Sequence, residues 1–249
     1  HLAAQSYVKA SLVYPSKTLH TNIIGTQHLM DALLNYAPEA IVHNCSSSEV
    51  YGRVSPDYGP IDEKCPFAPA SPYSISKIGQ DMVGRYYAEA HGMRIVTTRM
   101  FTHTGPRRGD VFFESSFAKQ IAMIESGLIN PPIQVGNLES TRTILDVRDA
   151  VRAYYMLLTV NPQSGEVYNI GGNHTCKVGD VLSALNKTNI PVEHDCSRLR
   201  PLDADHQIPD SSKFRNHTGW EPKIPFEQTM DDLLDYWRHR VKTHVVTQR

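Results

Sequence analysis

The sequence predicts an α/β fold built on a doubly wound parallel sheet, and three observations carry that prediction. Short apolar or β-branched runs alternate with longer segments of helical periodicity. A tyrosine and a lysine four residues apart, Tyr73 and Lys77, open one helical segment directly after Ser71-Pro72. The polar run Ser46-Ser47-Ser48-Glu49 closely follows the apolar stretch Ala40-Ile41-Val42, at the strand end where α/β folds place their chemistry.

The elements follow in order. Residues 17–36 read as a helix, because Leu19, Ile23, Leu29, Met30, Leu33 and Leu34 gather on one side. Residues 40–46 read as a strand, and 53–71 as a proline-rich loop. A helix over 73–91 ends at His91-Gly92, with glycine where a helix commonly closes. Arg94 to Arg99 form the next strand. Beyond 102 the pattern breaks into a long loop and shorter elements. Helices are expected at 114–126, 147–159, near 177–187 and at 226–242, with strands at 133–135 and 166–170.

Bulk properties exclude several classes. At 249 residues the chain can bury a substantial core. A formal net charge of −1 gives no electrostatic case for nucleic acid or an acidic membrane surface. No apolar run reaches the ~18 residues of a membrane span, and no signal-peptide pattern opens the sequence. Cys45, Cys65, Cys176 and Cys196 lack CxxC or Cys/His spacing. They read as reduced thiols of a cytoplasmic protein, and no metal is expected.

Tyr73 and Lys77 share one face of their helix. A nearby ammonium is expected to stabilise phenolate and draw the Tyr73 pKa towards neutrality. A serine hydroxyl from another segment can then hold a substrate oxygen beside the phenol. This suits proton transfer coupled to hydride transfer by a nicotinamide. Taken alone, the Tyr–Lys pair fits a surface helix, and Ser47, Ser48 and Glu49 fit ordinary capping. Their combination points to catalysis, with Glu49 as a base for a proton α to a carbonyl.

With these residues the chain resembles the extended short-chain dehydrogenases/reductases. Further matching segments are His1-Leu2-Ala3-Ala4-Gln5-Ser6, Asn22-Ile23-Ile24-Gly25-Thr26, Thr98-Arg99-Met100-Phe101, Gly136-Asn137 with Arg142, and Asp146-Val147-Arg148-Asp149. The resemblance implies a Rossmann-like sheet with a smaller C-terminal substrate-binding part. Residues 1–103 would belong to the dinucleotide-binding domain and 104–249 mainly to the nucleotide-sugar-binding domain, with about 143–170 returning to the sheet. A strand and glycine turn should open such a sheet, but Gly171-Gly172 follows a late strand and fits no phosphate loop. His1 to Ala4 match the end of the fourth strand, so ~60–80 residues of the first half are expected to lie outside this sequence.

Within that superfamily the resemblance is to nucleotide-sugar 4,6-dehydratases and the related 4-keto-sugar reductases. Ser47-Ser48-Glu49 resembles the Thr-Asp-Glu or Thr-Ser-Glu run of the dehydratases, with serine replacing threonine. Phe101-Thr102-His103-Thr104-Gly105-Pro106-Arg107-Arg108-Gly109 resembles a loop of the GDP-mannose 4,6-dehydratases. It implies that His103 and Arg108 contact the dinucleotide, as Leu2, Ala3, Ala4, Tyr73 and Lys77 do. Thr102 stands where asparagine usually meets the sugar nucleotide. Ser6, Lys119, Arg142, Arg200 and Asp203 match positions around the nucleotide diphosphate, Asp203 replacing a glutamate. Phe117-Ala118-Lys119-Gln120-Ile121 and Val135-Gly136-Asn137-Leu138-Glu139 also occur in the GDP-4-keto-6-deoxy-mannose reductases.

The implied function is 4,6-dehydration of GDP-mannose or a close GDP-hexose, with NADP as cofactor and NAD possible. The alternative is an NAD(P)H-dependent reductase of the 4-keto-6-deoxy sugar. A third class, a nucleotide-sugar-binding scaffold, is opposed by the intact Tyr73, Lys77 and Glu49. The family implies a homodimer or homotetramer.

Overall fold

The computed structural model describes residues 1–247. Helices α1 (Val8–Val13), α2 (Pro15–Leu19) and α3 (Gly25–Tyr36) precede strand β1 (Val42–Cys45), with a π-helical turn over His20–Ile24. The long helix α4 (Pro72–His91) leads to β2 (Ile95–Met100) and β3 (His103–Thr104). Next come α5 (Phe113–Glu125), β4 (Ile133–Val135), β5 (Thr141–Asp146), α6 (Val147–Thr159), β6 (Val167–Ile170) and β7 (His174–Lys177). The remainder is α7 (Val178–Leu185), β8 (Val192–His194), β9 (His206–Gln207), α8 (Ser212–Thr218) and α9 (Phe226–Thr247).

The central sheet runs β1-β2-β6, all parallel, with Val42 opposite Ile95 and Thr97 opposite Val167. Alternate residues of a strand point to opposite faces, and the sequence uses both. Ile95 packs with Val42, Met30 and Tyr87 under α3 and α4. Val96 and Met100 pack with Leu157, Tyr168, Phe214 and Trp220 under α6 and α8. Helices therefore cover both faces, which is the doubly wound arrangement expected. Strand β2 is buried along its whole length, which explains its continuous β-branched run.

A second body gathers α5, α7 and α9 around Phe117, Ile121, Leu182, Leu233 and Trp237. Strand β5 pairs with β3 and β9 in parallel and with β7 antiparallel, and β4 pairs with β8. Two hinges of sequence explain local geometry. Ser71 Oγ accepts the Ser74 N–H at 3.1 Å and Pro72 opens the first turn, so α4 starts one residue before Tyr73. Gly92 at φ 66° closes it in the left-handed region. The four cysteines are free thiols. Among the described residues no helix is long and apolar enough to cross a membrane.

Candidate active site

The C-terminal ends of β1 and β2 open onto one space, and α4 presents its N-terminal half to it. Leaving β1, Ser47 is extended and its Oγ accepts the Glu49 N–H at 3.2 Å, starting a short 3-10 turn. Tyr73 is buried at 8% exposure, and its backbone N–H donates to Ser11 Oγ of α1 at 3.1 Å. Ser76 Oγ donates to the Tyr73 carbonyl at 2.7 Å and accepts from Asn22 Nδ2 at 2.8 Å. Asn22 also exchanges two hydrogen bonds with the Gln5 backbone, at 2.8 and 2.9 Å. The chain's first loop is thereby fastened to the helix that carries Tyr73.

Lys77 is 5% exposed. Its ammonium donates to the Cys45 carbonyl and to Gln80 Oε1, both at 2.8 Å. Gln80 in turn donates to Asn44 Oδ1 at 3.1 Å. Burial lowers the Lys77 pKa, offset by the neighbouring Cys45. Lys77 Nζ lies 6.0 Å from the centre of the Tyr73 ring.

The expected phenolate is not what this arrangement favours. Burial pushes the Tyr73 phenol well above its ordinary value. The Ser47 hydroxyl and the Arg108 guanidinium pull it down, while Glu49 and Cys45 push it further up. The expectation that Lys77 draws Tyr73 towards neutrality is thus corrected. Two of the ammonium's donors go to a carbonyl and an amide, and desolvation of the phenol outweighs the attractions around it.

Other expected site residues fall into two groups. Glu49, Arg142, Arg200 and Asp203 converge. Arg200 Nη1 is 4.0 Å from Glu49 Oε1 and 3.2 Å from Asp203 Oδ1, and Arg142 Nη2 is 3.5 Å from Asp203 Oδ1. Arg142 is 8% exposed, its pKa lowered by burial and raised by Glu49 and Asp203. Ser48 is buried beside Glu49. Arg108 stacks on Phe112, 3.5 Å from the ring centre, within electrostatic reach of Tyr73 and His103. Burial and Arg108 push the His103 pKa down to about 4, so the imidazole is neutral near pH 7.

Lys119 stands further out, paired with Asp110 at 2.6 Å. Leu2, Ala3 and Ser6 are exposed on the first loop, with Ala4 half-buried. Thr102 contributes its carbonyl, which accepts from the Leu145 N–H at 3.0 Å.

A cavity of about 590 Å³ lies against this cluster. Arg142, Arg200 and Asp203 line it together with Lys9, Lys119 and Arg198. Five basic side chains outnumber Asp110, Asp195 and Asp203, so the cavity suits an anionic, elongated ligand. Sequence reasoning missed Gln80, Lys9 and Glu114 as site residues, and it noted Asn22 only within a matching segment. Gln80 was findable, one turn from Lys77 on the same helix face. Lys9 reaches the Ser197 carbonyl at 2.7 Å across the fold, which no local pattern announces.

The chain matches the family model described as GDP-mannose 4,6 dehydratase over residues 1–233. It is 31% identical to the GDP-6-deoxy-D-mannose reductase of Pseudomonas aeruginosa over 245 residues, covering 97% of this chain and 80% of that one. It is 27% identical to the GDP-mannose 4,6-dehydratase of Sordaria araneosa, covering 94% of this chain but only 46% of the relative's length. A solved structure of RMD from Pseudomonas aeruginosa complexed with NADPH superposes with a TM-score of 0.89 at 30% identity, covering 96% of this chain and 80% of that one. The chain belongs to the GDP-mannose 4,6 dehydratase family, among the extended short-chain dehydrogenases/reductases that act on nucleotide sugars.

Proposed function

We propose that this site performs 4,6-dehydration of GDP-mannose or a close GDP-hexose. The observation that carries the reading is Glu49, a carboxylate in the short 3-10 turn after β1, within electrostatic reach of both Tyr73 and Arg142. In this role Tyr73, beside the Ser47 hydroxyl, must first give up its own proton against the pull of its burial, and as phenolate it then receives the proton of the sugar 4-hydroxyl. A ketone at C4 acidifies the neighbouring C5 proton, which Glu49 removes and returns to the departing 6-hydroxyl. Ser47 and Ser48 hold the sugar's oxygens during that elimination. Arg142, Arg200 and Lys119 meet the diphosphate, and Asp203 the ribose or base, with Ser6 and Thr102 at the sugar-nucleotide contacts.

The cofactor is proposed as NADP, with NAD the alternative; when bound, its nicotinamide takes up and returns the hydride. The residues present fit such a group. Cys45 and Gln80 use two of the three ammonium donors of Lys77, leaving one for a ribose hydroxyl. His103 and Arg108, and the loop through Leu2, Ala3 and Ala4, supply the remaining contacts. Residues 1–103 then serve the dinucleotide and 104–249 mainly the sugar nucleotide, with about 143–170 returning to the sheet.

One observation favours a second reading, reduction of a GDP-4-keto-6-deoxy sugar. Burial keeps the Tyr73 phenol protonated, as an acid that donates to a ketone oxygen requires. The test is incubation of the full-length protein with GDP-mannose and no added cofactor, followed by mass spectrometry. Loss of one water supports the dehydratase. No loss, with stoichiometric NADPH oxidation on the 4-keto-6-deoxy sugar, replaces it by the reductase. Glu49→Gln is expected to cut dehydration by about 10²–10⁴-fold and to leave ketone reduction nearly intact.

A further inference from the structure

Glu114 lies in the first turn of α5 at 1% exposure. Neither of its carboxylate oxygens meets a protein donor at hydrogen-bonding geometry. Burial raises its pKa, and the positive charges of Arg108 and Arg142 offset part of that. Arg108 Nε is buried and equally without an acceptor, while its guanidinium rests on the Phe112 ring.

A buried carboxyl and a buried guanidinium nitrogen, neither with a hydrogen-bond partner, therefore stand within electrostatic reach of each other on segments already joined. Ser115 Oγ donates to the Arg108 carbonyl at 2.7 Å and accepts from Trp237 Nε1 at 2.7 Å. The Ser115 hydrogen bond fixes the Arg108 backbone beside the first turn of α5, which carries Glu114. An unpaired buried carboxylate is strongly unfavourable, and an Arg–carboxylate contact satisfies both partners.

We propose that Glu114 is a positioning residue: it accepts the Nε–H of Arg108, draws the guanidinium off the Phe112 ring, and sets how close that positive charge comes to Tyr73. The proposal rests on the reading of Tyr73 as the acid–base group. Arg108 is one of the two groups that stabilise the Tyr73 phenolate, so its placement bears on the chemical step rather than on sugar-nucleotide binding.

Two measurements on the full-length protein test it. In ¹⁵N-labelled protein the Arg108 Nε–H resonance, assigned by its loss in Arg108→Lys, is expected to move in Glu114→Gln. An unmoved resonance overturns the pairing whether or not the protein turns over any sugar. In kinetics, Glu114→Gln is expected to lower kcat about tenfold with KM for the sugar nucleotide within about twofold, and Glu114→Asp to recover part of the loss. Combined with Arg108→Gln it is expected to be no slower than the slower single variant. Multiplicative losses, or a fall confined to KM, overturn the proposal. Turnover that survives Tyr73→Phe sinks the functional reading instead, and leaves the resonance to decide the pairing.

Discussion

At the scale of single residues, the arrangement makes Lys77 dependent on Gln80. Gln80 accepts from the ammonium and donates to Asn44 and to the Cys45 carbonyl, so it ties α4 to β1 where the lysine reaches over. Gln80→Leu is expected to strand these buried partners at a cost of about 1–3 kcal/mol, read from urea unfolding, and to lower turnover as Lys77 loses its orientation. Unchanged stability and turnover refute the dependence. His43 supplies a pH prediction. It is 7% exposed, bonded to Thr98 Oγ1 at 2.7 Å, and burial pushes its pKa to about 3. The unfolded chain binds this proton near the ordinary value of ~6.5 while the folded chain does not. Stability is therefore complete above that pH and lost as pH falls towards 3. By pH 5 the loss is about 2 kcal/mol. His43→Asn, which cannot charge, is expected to flatten that part of the urea-midpoint profile, and an unchanged slope assigns it to other groups.

At the scale of elements, what could be read from sequence followed from how far each element's pattern is local. Helix α4 carried its own start in Ser71-Pro72 and its own stop in Gly92, and β4 and α6 fell at the expected residues. Strands β3, β7 and β9 have two to four residues and were not anticipated, because pairing to β5 rather than side-chain alternation defines them. The expected helix 17–36 divides at the π-turn His20–Ile24, which places Asn22 against Gln5 and Ser76. Likewise spacing alone marked Tyr73, Lys77 and Glu49 as candidates, but the burial that raises the Tyr73 pKa depends on chain segments far away in sequence. Gly171-Gly172, expected to bind no phosphate, has a packing role instead. A Cβ on Gly172 would sit 2.0 Å from the Ile144 carbonyl oxygen, an immovable backbone atom. Gly172→Ala is expected to cost at least about 1–3 kcal/mol by pushing β5 away from the β6–β7 connection. A melting temperature equal to the parent protein's refutes this.

At the scale of the whole molecule, α4 distributes its side chains against the usual rule. Beside the buried Tyr73 and Tyr87, its inner face carries Ser74, Ser76, Lys77, Gln80 and Asp81, committed to the site and to the Asp81–Arg99 ion pair at 2.9 Å. Its outward face carries Ile75, Met82 and Tyr86, which are 50%, 39% and 58% exposed. Spacings of seven and four residues align these three along one stripe of the helix. An apolar outer stripe of this kind is stabilised when covered. A second copy of the same stripe is self-complementary about a twofold axis, which is the simplest closed assembly. The protein is thus expected to form a dimer, or a tetramer containing that dimer, through α4. Met82→Glu places a charge in the centre of the stripe on both subunits and is expected to shift the sedimenting mass towards the monomer. Because Tyr73 and Lys77 lie on the opposite side of the same helix, the variant should also lose turnover in parallel with dissociation as the protein is diluted. A parent protein that sediments as a monomer, or a Met82→Glu variant of unchanged mass, removes α4 as the interface.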